Sequence, residues 1–122
     1  MPGKCVRGTV LDINLDPSSG HEQRKLGPCV VIQNDIGNKF SPTTIVAVTA
    51  GAENIKRPYP VNVPIPHGEG GLTKPSVVLC SQIRTVDEMR FGKIFGRLSA
   101  PTMKQIDAAL RISCSFSCPV CS

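Results

Sequence analysis

Five consecutive residues near the start of this 122-residue chain are equipped for acid–base and anion chemistry: His21, Glu22, Gln23, Arg24 and Lys25. They place a possible base, a carboxylate, an amide and two cations on one stretch. Such a set suits work on a phosphodiester, with cations for the phosphate, Gln for a base edge, and His or Glu for proton transfer. A solvated polar loop uses the same residues, and the stretch alone leaves both readings open. Hydroxyls form a second set. Ser41, Thr43, Thr44 and Thr49 stand at the two ends of an apolar run, where each can bond a phosphate oxygen or a local backbone group. Gln82, Arg84 and Asp87 form a third. Arg84 and Asp87 can pair with each other, face a subunit or contact phosphate, and an exposed ion pair contributes little.

The chain has no P-loop, no dinucleotide-binding glycine pattern after a strand, no H-E-x-x-H and no EF-hand loop. Its only histidines are His21 and His67, too few for a His-rich metal site. Of its 6 cysteines, Cys5, Cys29 and Cys80 sit in apolar runs as small buried hydrophobes. Cys114, Cys118 and Cys121 offer three soft ligands in a C-x3-C-x2-C spacing, with no fourth ligand nearby. That segment reads as a disordered, oxidisable tail, and no metal or cofactor is expected. Aromatic residues make up 4% with no Trp, which argues against an aromatic platform that stacks bases.

These residues must be positioned by a small fold. The length suits one domain over residues 1–113, followed by the Cys-rich tail 114–122. A hydrophobic share of 40% makes the chain globular, and 14 Lys+Arg against 9 Asp+Glu favour an acidic partner such as nucleic acid. No apolar run approaches the ~20 residues of a membrane span. The start passes straight into a strand-like pattern without a signal sequence, so a cytoplasmic protein is expected. Residues 5–15 alternate as a half-buried strand interrupted by Gly8, with a bulge expected there. Residues 29–32 read as a buried strand, 34–42 as a polar loop, 43–49 as the clearest strand and 76–80 as another. Residues 59–65 alternate but carry prolines that confine them to an edge. Residues 67–71 are a turn, and 92–98 a last strand. The period then changes: Met103, Ile106, Ala109 and Leu110 share one face of a helix that Ser99 or Thr102 can cap. Short strands with one late helix give a strongly bent sheet or partly open barrel.

Taken together these runs resemble the MazF/PemK/Kid-type toxins, the endoribonuclease half of type II toxin–antitoxin pairs. The matching pieces are Arg7-Gly8 with Asp12 and Leu15-Asp16-Pro17; Gly20-His21-Glu22-Gln23; Pro28 through Asn34-Asp35; Ser41-Pro42-Thr43 with Ile45-Val46-Ala47 and Thr49; Gly71-Leu72 with Ser76-Val77-Val78-Leu79; and Gln82 through Asp87. With the terminal helix they follow the family's order. The resemblance implies a mainly β (α+β) fold, an SH3-like partly open barrel with a C-terminal amphipathic helix, of CcdB/PemK-like type. It implies a homodimer, a MazE-like antitoxin as partner and no membrane. It also implies sequence-selective, metal-independent cleavage of single-stranded RNA. The ribose 2′-hydroxyl would attack the adjacent phosphate, leaving 2′,3′-cyclic phosphate and 5′-hydroxyl ends. RNA contacts would fall to Ser19, His21, Glu22, Gln23, Gln82 and Arg84. The family's catalytic pair is an Arg before the Pro that opens the second strand and a Thr ending the third. Here the Thr is Thr49, and the Arg position is Gly27. The Arg and Asp of the Kid-like branch correspond to Leu79 and Ser81. The resemblance therefore implies an impaired nuclease, with Arg24 or Lys25 as substitute cations, or a catalytically inactive dimer that still binds RNA and antitoxin.

Overall fold

The computed structural model describes residues 5–15, 26–55 and 60–115. Six strands form one antiparallel sheet in the order β4-β5-β3-β2-β1-β6. They are β1 (Thr9–Asn14), β2 (Leu26–Val31), β3 (Thr43–Gly51), β4 (Asn62–Ile65), β5 (Ser76–Asp87) and β6 (Phe91–Arg97). The helices are α1 (Asp35–Phe40) and α2 (Ala100–Ser113). The mainly β reading with a late helix holds, and the sheet stays open between its edges β4 and β6.

Alternation along the strands sorts their side chains onto two faces. Val10, Val30, Ala47, Val78 and Cys80 meet Ile106 and Ala109 of α2 on one face. Ile106 has no exposed surface, and burying a side chain of that size contributes roughly 1.5–3 kcal/mol. Leu11, Ile13, Cys29, Val31 and Val46 point to the other face and form a second cluster with Val86. Cys5, Leu15, Val48, Val86 and Phe91 pack on that face. Asp87 pairs with Thr43 of β3, while Phe91 pairs with Ile13 of β1. The 3-10 turn Glu88–Arg90 joins β5 to β6. Cys29 of β2 is fully buried.

Several local expectations change. Residues 5–8 are not strand: β1 begins at Thr9, and Gly8 sits in a turn at φ +95° rather than in a bulge. The polar loop 34–42 contains α1, because the Asn34 side chain accepts from the Gly37 amide 2.7 Å away and caps it. β3 runs two residues past Thr49. β5 runs on to Asp87 instead of stopping at Cys80. Its register passes from Val48↔Leu79 to Ala47↔Ile83, so the intervening residues are accommodated as a bulge that bends the strand. Helix α2 begins after Ser99 as expected, but its cap is borrowed. Glu69 accepts from the Ser99 backbone amide at 2.9 Å and from its hydroxyl at 3.0 Å. Burial pushes the Glu69 carboxyl up, and the bonds from Ser99 and Thr102 outweigh it and hold it below its ordinary value.

Candidate functional site

β1 and β2 stay paired as far as Asn14↔Leu26. Ser19, His21, Glu22, Gln23, Arg24 and Lys25 lie outside the described residues. The described candidates are Gly27, Thr49, Gln82 and Arg84.

Thr49 is buried at the C-terminal end of β3, and its hydroxyl donates to the Pro28 carbonyl at 2.8 Å. Pro28 has no N–H to offer a neighbouring strand. The threonine hydroxyl supplies a cross-strand bond there, and its oxygen keeps acceptor capacity. Gly27 is one residue away but faces elsewhere. It pairs with Ile13, on the face of Cys29 and the second cluster, whereas Thr49 pairs with Val78 on the α2 face. The two positions that the resemblance pairs, 27 and 49, are thus neighbours on opposite faces of the sheet. A side chain at Gly27 would first meet Leu15 Cδ1 at 3.0 Å, the end of a flexible side chain, and its backbone φ is not left-handed.

Arg84 shares the Gly27 face, since it pairs with Val46 of the second cluster. It reaches across that cluster, and its Nη1 donates to the Leu15 carbonyl at 2.8 Å. Its charge is felt by Cys29. Burial is the main influence on that thiol and pushes it up to about 12, with Arg84 opposing and Asp12 adding to the rise. Asp87 does not serve Arg84; its carboxylate accepts from the Met89 amide at 2.9 Å and caps the Glu88–Arg90 turn. Gln82 is exposed in the β5 bulge.

Sequence reasoning missed Arg90, whose Nη1 donates to the Asn14 carbonyl at 3.1 Å. Nothing in its spacing marks it, because the bond depends on the turn that joins β5 to β6. The remaining polar motif proves to be architecture. Asn38 is buried, accepts from the Thr44 hydroxyl at 2.6 Å and from Gln33 at 3.1 Å, and donates to the Gln33 carbonyl at 3.0 Å. Ser41 and Thr43 hydroxyls bond each other at 3.0 Å. Asp35 accepts from the Arg7 amide at 2.7 Å and from Asn38 at 3.0 Å, and these bonds hold its carboxyl below the ordinary value. Arg7 then donates to the Ile32 carbonyl at 2.8 Å and pairs with Asp107 of α2 at 2.6 Å. Beside that pair lies a cleft of about 510 Å³ walled by Ile45, Ile83, Leu110 and Cys114. Among the described residues no group of three metal-binding side chains converges, and no helix is long and apolar enough to cross a membrane.

Comparison with known proteins bears on the whole of this arrangement. The model of the PemK-like, MazF-like toxins of type II toxin–antitoxin systems matches residues 6–114. The chain is 44% identical over 107 residues to the endoribonuclease MazF of Staphylococcus saprophyticus subsp. saprophyticus, covering 88% of each chain. Its fold is similar to that of a mycobacterial endoribonuclease solved with its cognate antitoxin, with a TM-score of 0.76 at 21% identity, over 94% of this chain and 99% of that one. It is equally similar to a MazE–MazF structure from Deinococcus radiodurans, with a TM-score of 0.76 at 21% identity over 93% and 98% of the two chains. The family match runs from the turn before β1 to the end of α2, and by it this chain belongs to the PemK-like, MazF-like toxins of type II toxin–antitoxin systems.

Proposed function

We propose that this toxin is an endoribonuclease that cuts single-stranded RNA without a metal and is slowed by Gly27. The observation that carries the reading is the 44% identity, across 88% of both chains, to a protein named endoribonuclease MazF. In the proposed reaction the ribose 2′-oxygen bonds to the adjacent phosphorus as the bond from phosphorus to the 5′-oxygen breaks. The proton leaves the 2′-hydroxyl for a base, and the 5′-oxygen takes one up. His21 or Glu22 serves the proton transfers, and Thr49 supports the site from the opposite face of the sheet, its hydroxyl bonded to the Pro28 carbonyl beside Gly27. Ser19, Gln23, Gln82 and Arg84 contribute to the RNA surface. Gly27 offers neither charge nor donor to the phosphorane-like transition state, and loss of such a donor costs about 10²–10³ in rate. Arg24 and Lys25 are the nearest cations in sequence that can replace part of it. Cys29 and Cys80 take no part: burial pushes their thiols up to about 12 and about 11, so neither presents a thiolate at neutral pH.

The toxin acts in the cytoplasm as a homodimer restrained by a MazE-like antitoxin, with residues 1–113 as the working domain and no cofactor. A second reading, a silent dimer that binds RNA and antitoxin, is favoured by one feature, the uncharged residue at position 27. One assay separates them. A long single-stranded RNA is incubated with the protein in EDTA and new 5′ ends are sequenced. Discrete cuts bearing 5′-hydroxyls are expected. Tight binding without cuts transfers the conclusion to the silent dimer, and the lack of both overturns the two together.

A further inference from the structure

We infer that Arg84 is a catalytic residue, whose guanidinium supplies on the Gly27 face the positive charge that Gly27 itself lacks. The inference rests on the ribonuclease reading and deepens it. Two contacts place Arg84 beside position 27. The first runs through Leu15. A side chain at Gly27 would meet Leu15 Cδ1 at 3.0 Å, and Arg84 Nη1 donates to the carbonyl of the same leucine at 2.8 Å. The second runs through Cys29, whose thiol donates to the Gly27 carbonyl at 3.6 Å. The charge of Arg84 is felt at that thiol, where it opposes the effect of burial. Cys29 and Leu15 belong to one apolar cluster, with Val46, the β3 partner of Arg84, among its members. Arg84 therefore approaches from β5 the ground that a side chain at position 27 would approach from β2. Its guanidinium is exposed and has donors to spare. One of its five N–H groups serves the Leu15 carbonyl, and among the described residues no carboxylate pairs with it. Asp87, the acid nearest to it along β5, is turned to the Met89 amide. A guanidinium stays charged at any working pH and grips phosphate oxygens with a planar fork. It can stabilise the charge that builds on those oxygens as the 2′-oxygen attacks, and it gives up no proton in doing so.

Four proteins test this as a cycle: the parent, Arg84→Ala, Gly27→Arg and the double variant. Each is held in excess over a long single-stranded RNA in EDTA, so that the rate of cutting is read apart from affinity. Affinity is measured by fluorescence anisotropy on a labelled 2′-O-methyl RNA, which cannot be cut, and circular dichroism checks folding. Arg84→Ala is expected to slow cutting by the parent about 10²-fold at saturating protein. In the Gly27→Arg background the same change should cost only a few-fold, because a second guanidinium then serves the same charge. Arg84→Lys keeps the charge and should retain most of the rate. Arg84→Gln keeps a donor for the Leu15 carbonyl without the charge and should fall as far as alanine. These two variants decide the matter if Arg84→Ala does not fold. Equal losses in the two backgrounds, or a loss confined to affinity, overturn the inference and leave Arg84 a contact of the RNA surface. Unchanged cutting overturns it as well. Cutting by Gly27→Arg and none by the parent overturns it and spares the ribonuclease reading. If both proteins fold and neither cuts, the ribonuclease reading fails and this inference falls with it.

Discussion

Cys29 has no exposed surface, and burial raises its thiol to about 12. Cys80 is equally buried and raised to about 11, Cys5 is raised by burial, and Cys114 is exposed at the end of α2. Native protein treated with iodoacetamide at pH 7.5 (roughly neutral, well below these values) should be modified at Cys114 and not at Cys5, Cys29 or Cys80. Peptide mapping reads this out, and rapid labelling of Cys29 would show the second cluster to be open. Asp35 gives a pH signature. Its ordinary value is 3.8, and the bonds from Arg7 and Asn38 lower it in the folded state. As pH falls the unfolded chain takes up this proton first. The contribution to stability is complete above 3.8 and is lost as pH drops through the lowered folded value. Asp35→Asn should therefore lose stability at neutral pH and show a shallower decline below about pH 4 in urea titrations. Residue types were legible at this scale, but partners were not. The thiols in apolar runs could be read as buried, since burial follows from the pattern around them. The hydroxyls of Ser41, Thr43 and Thr44 read equally well as ligands or local bonds, and only the position of Asn38 and α1 decides for local bonds.

At the scale of elements, β6 is held against the turn that precedes β5 by Gly71 and Gly96, neither with room for a side chain. A Cβ on Gly71 would stand 2.6 Å from the Phe95 carbonyl carbon, at φ +76°. Gly68 has a similar φ of +81° but nothing within 4 Å. Gly68→Ala should cost about 1 kcal/mol from backbone strain alone. Gly71→Ala should cost roughly 3 kcal/mol or more, because the β6 backbone must also move. Chemical denaturation of the two variants compares strain with contact, and equal losses would deny the close approach of β6. Strand and helix periods were legible wherever one face is apolar, as in β1, β3 and α2. Helix α1 was not, because its two apolar residues, Ile36 and Phe40, are both exposed and the helix depends on the Asn34 cap and the Asn38 bonds. The second half of β5 was hidden for a related reason. After the bulge most of its residues are exposed, so the pairing with β3 leaves little hydrophobic trace.

Over the whole molecule, α2 packs on one face of the sheet, and Leu11, Ile13, Cys29, Val31 and Val46 with Cys5, Val86 and Phe91 form a second cluster on the other. Beyond the end of α2 remains the cleft that holds Ile83, 40% exposed, with Leu110 and Ile45. A homodimer that uses this surface should be weakened by Ile83→Glu, seen as a shift from dimer to monomer by analytical ultracentrifugation with unchanged circular dichroism. A variant as dimeric as the parent would move the interface elsewhere. The family was legible in the sequence because its motifs are mostly architectural: Gln33, Asn34, Asp35 and Asn38 hold α1 and β3 together. The opposite facing of Gly27 and Thr49 was not legible, since it depends on strand register rather than on residue type. The account stands or falls on position 27. Leu15 can move aside there and the backbone accepts any residue, so Gly27→Arg should fold as the parent does. Initial rates of cleavage of a long single-stranded RNA in EDTA are compared for the two proteins. A gain of about 10²–10³ in rate, with 5′-hydroxyl ends at the same sites, is the predicted result. A folded Gly27→Arg protein that binds RNA and cuts it no faster than the parent would contradict it.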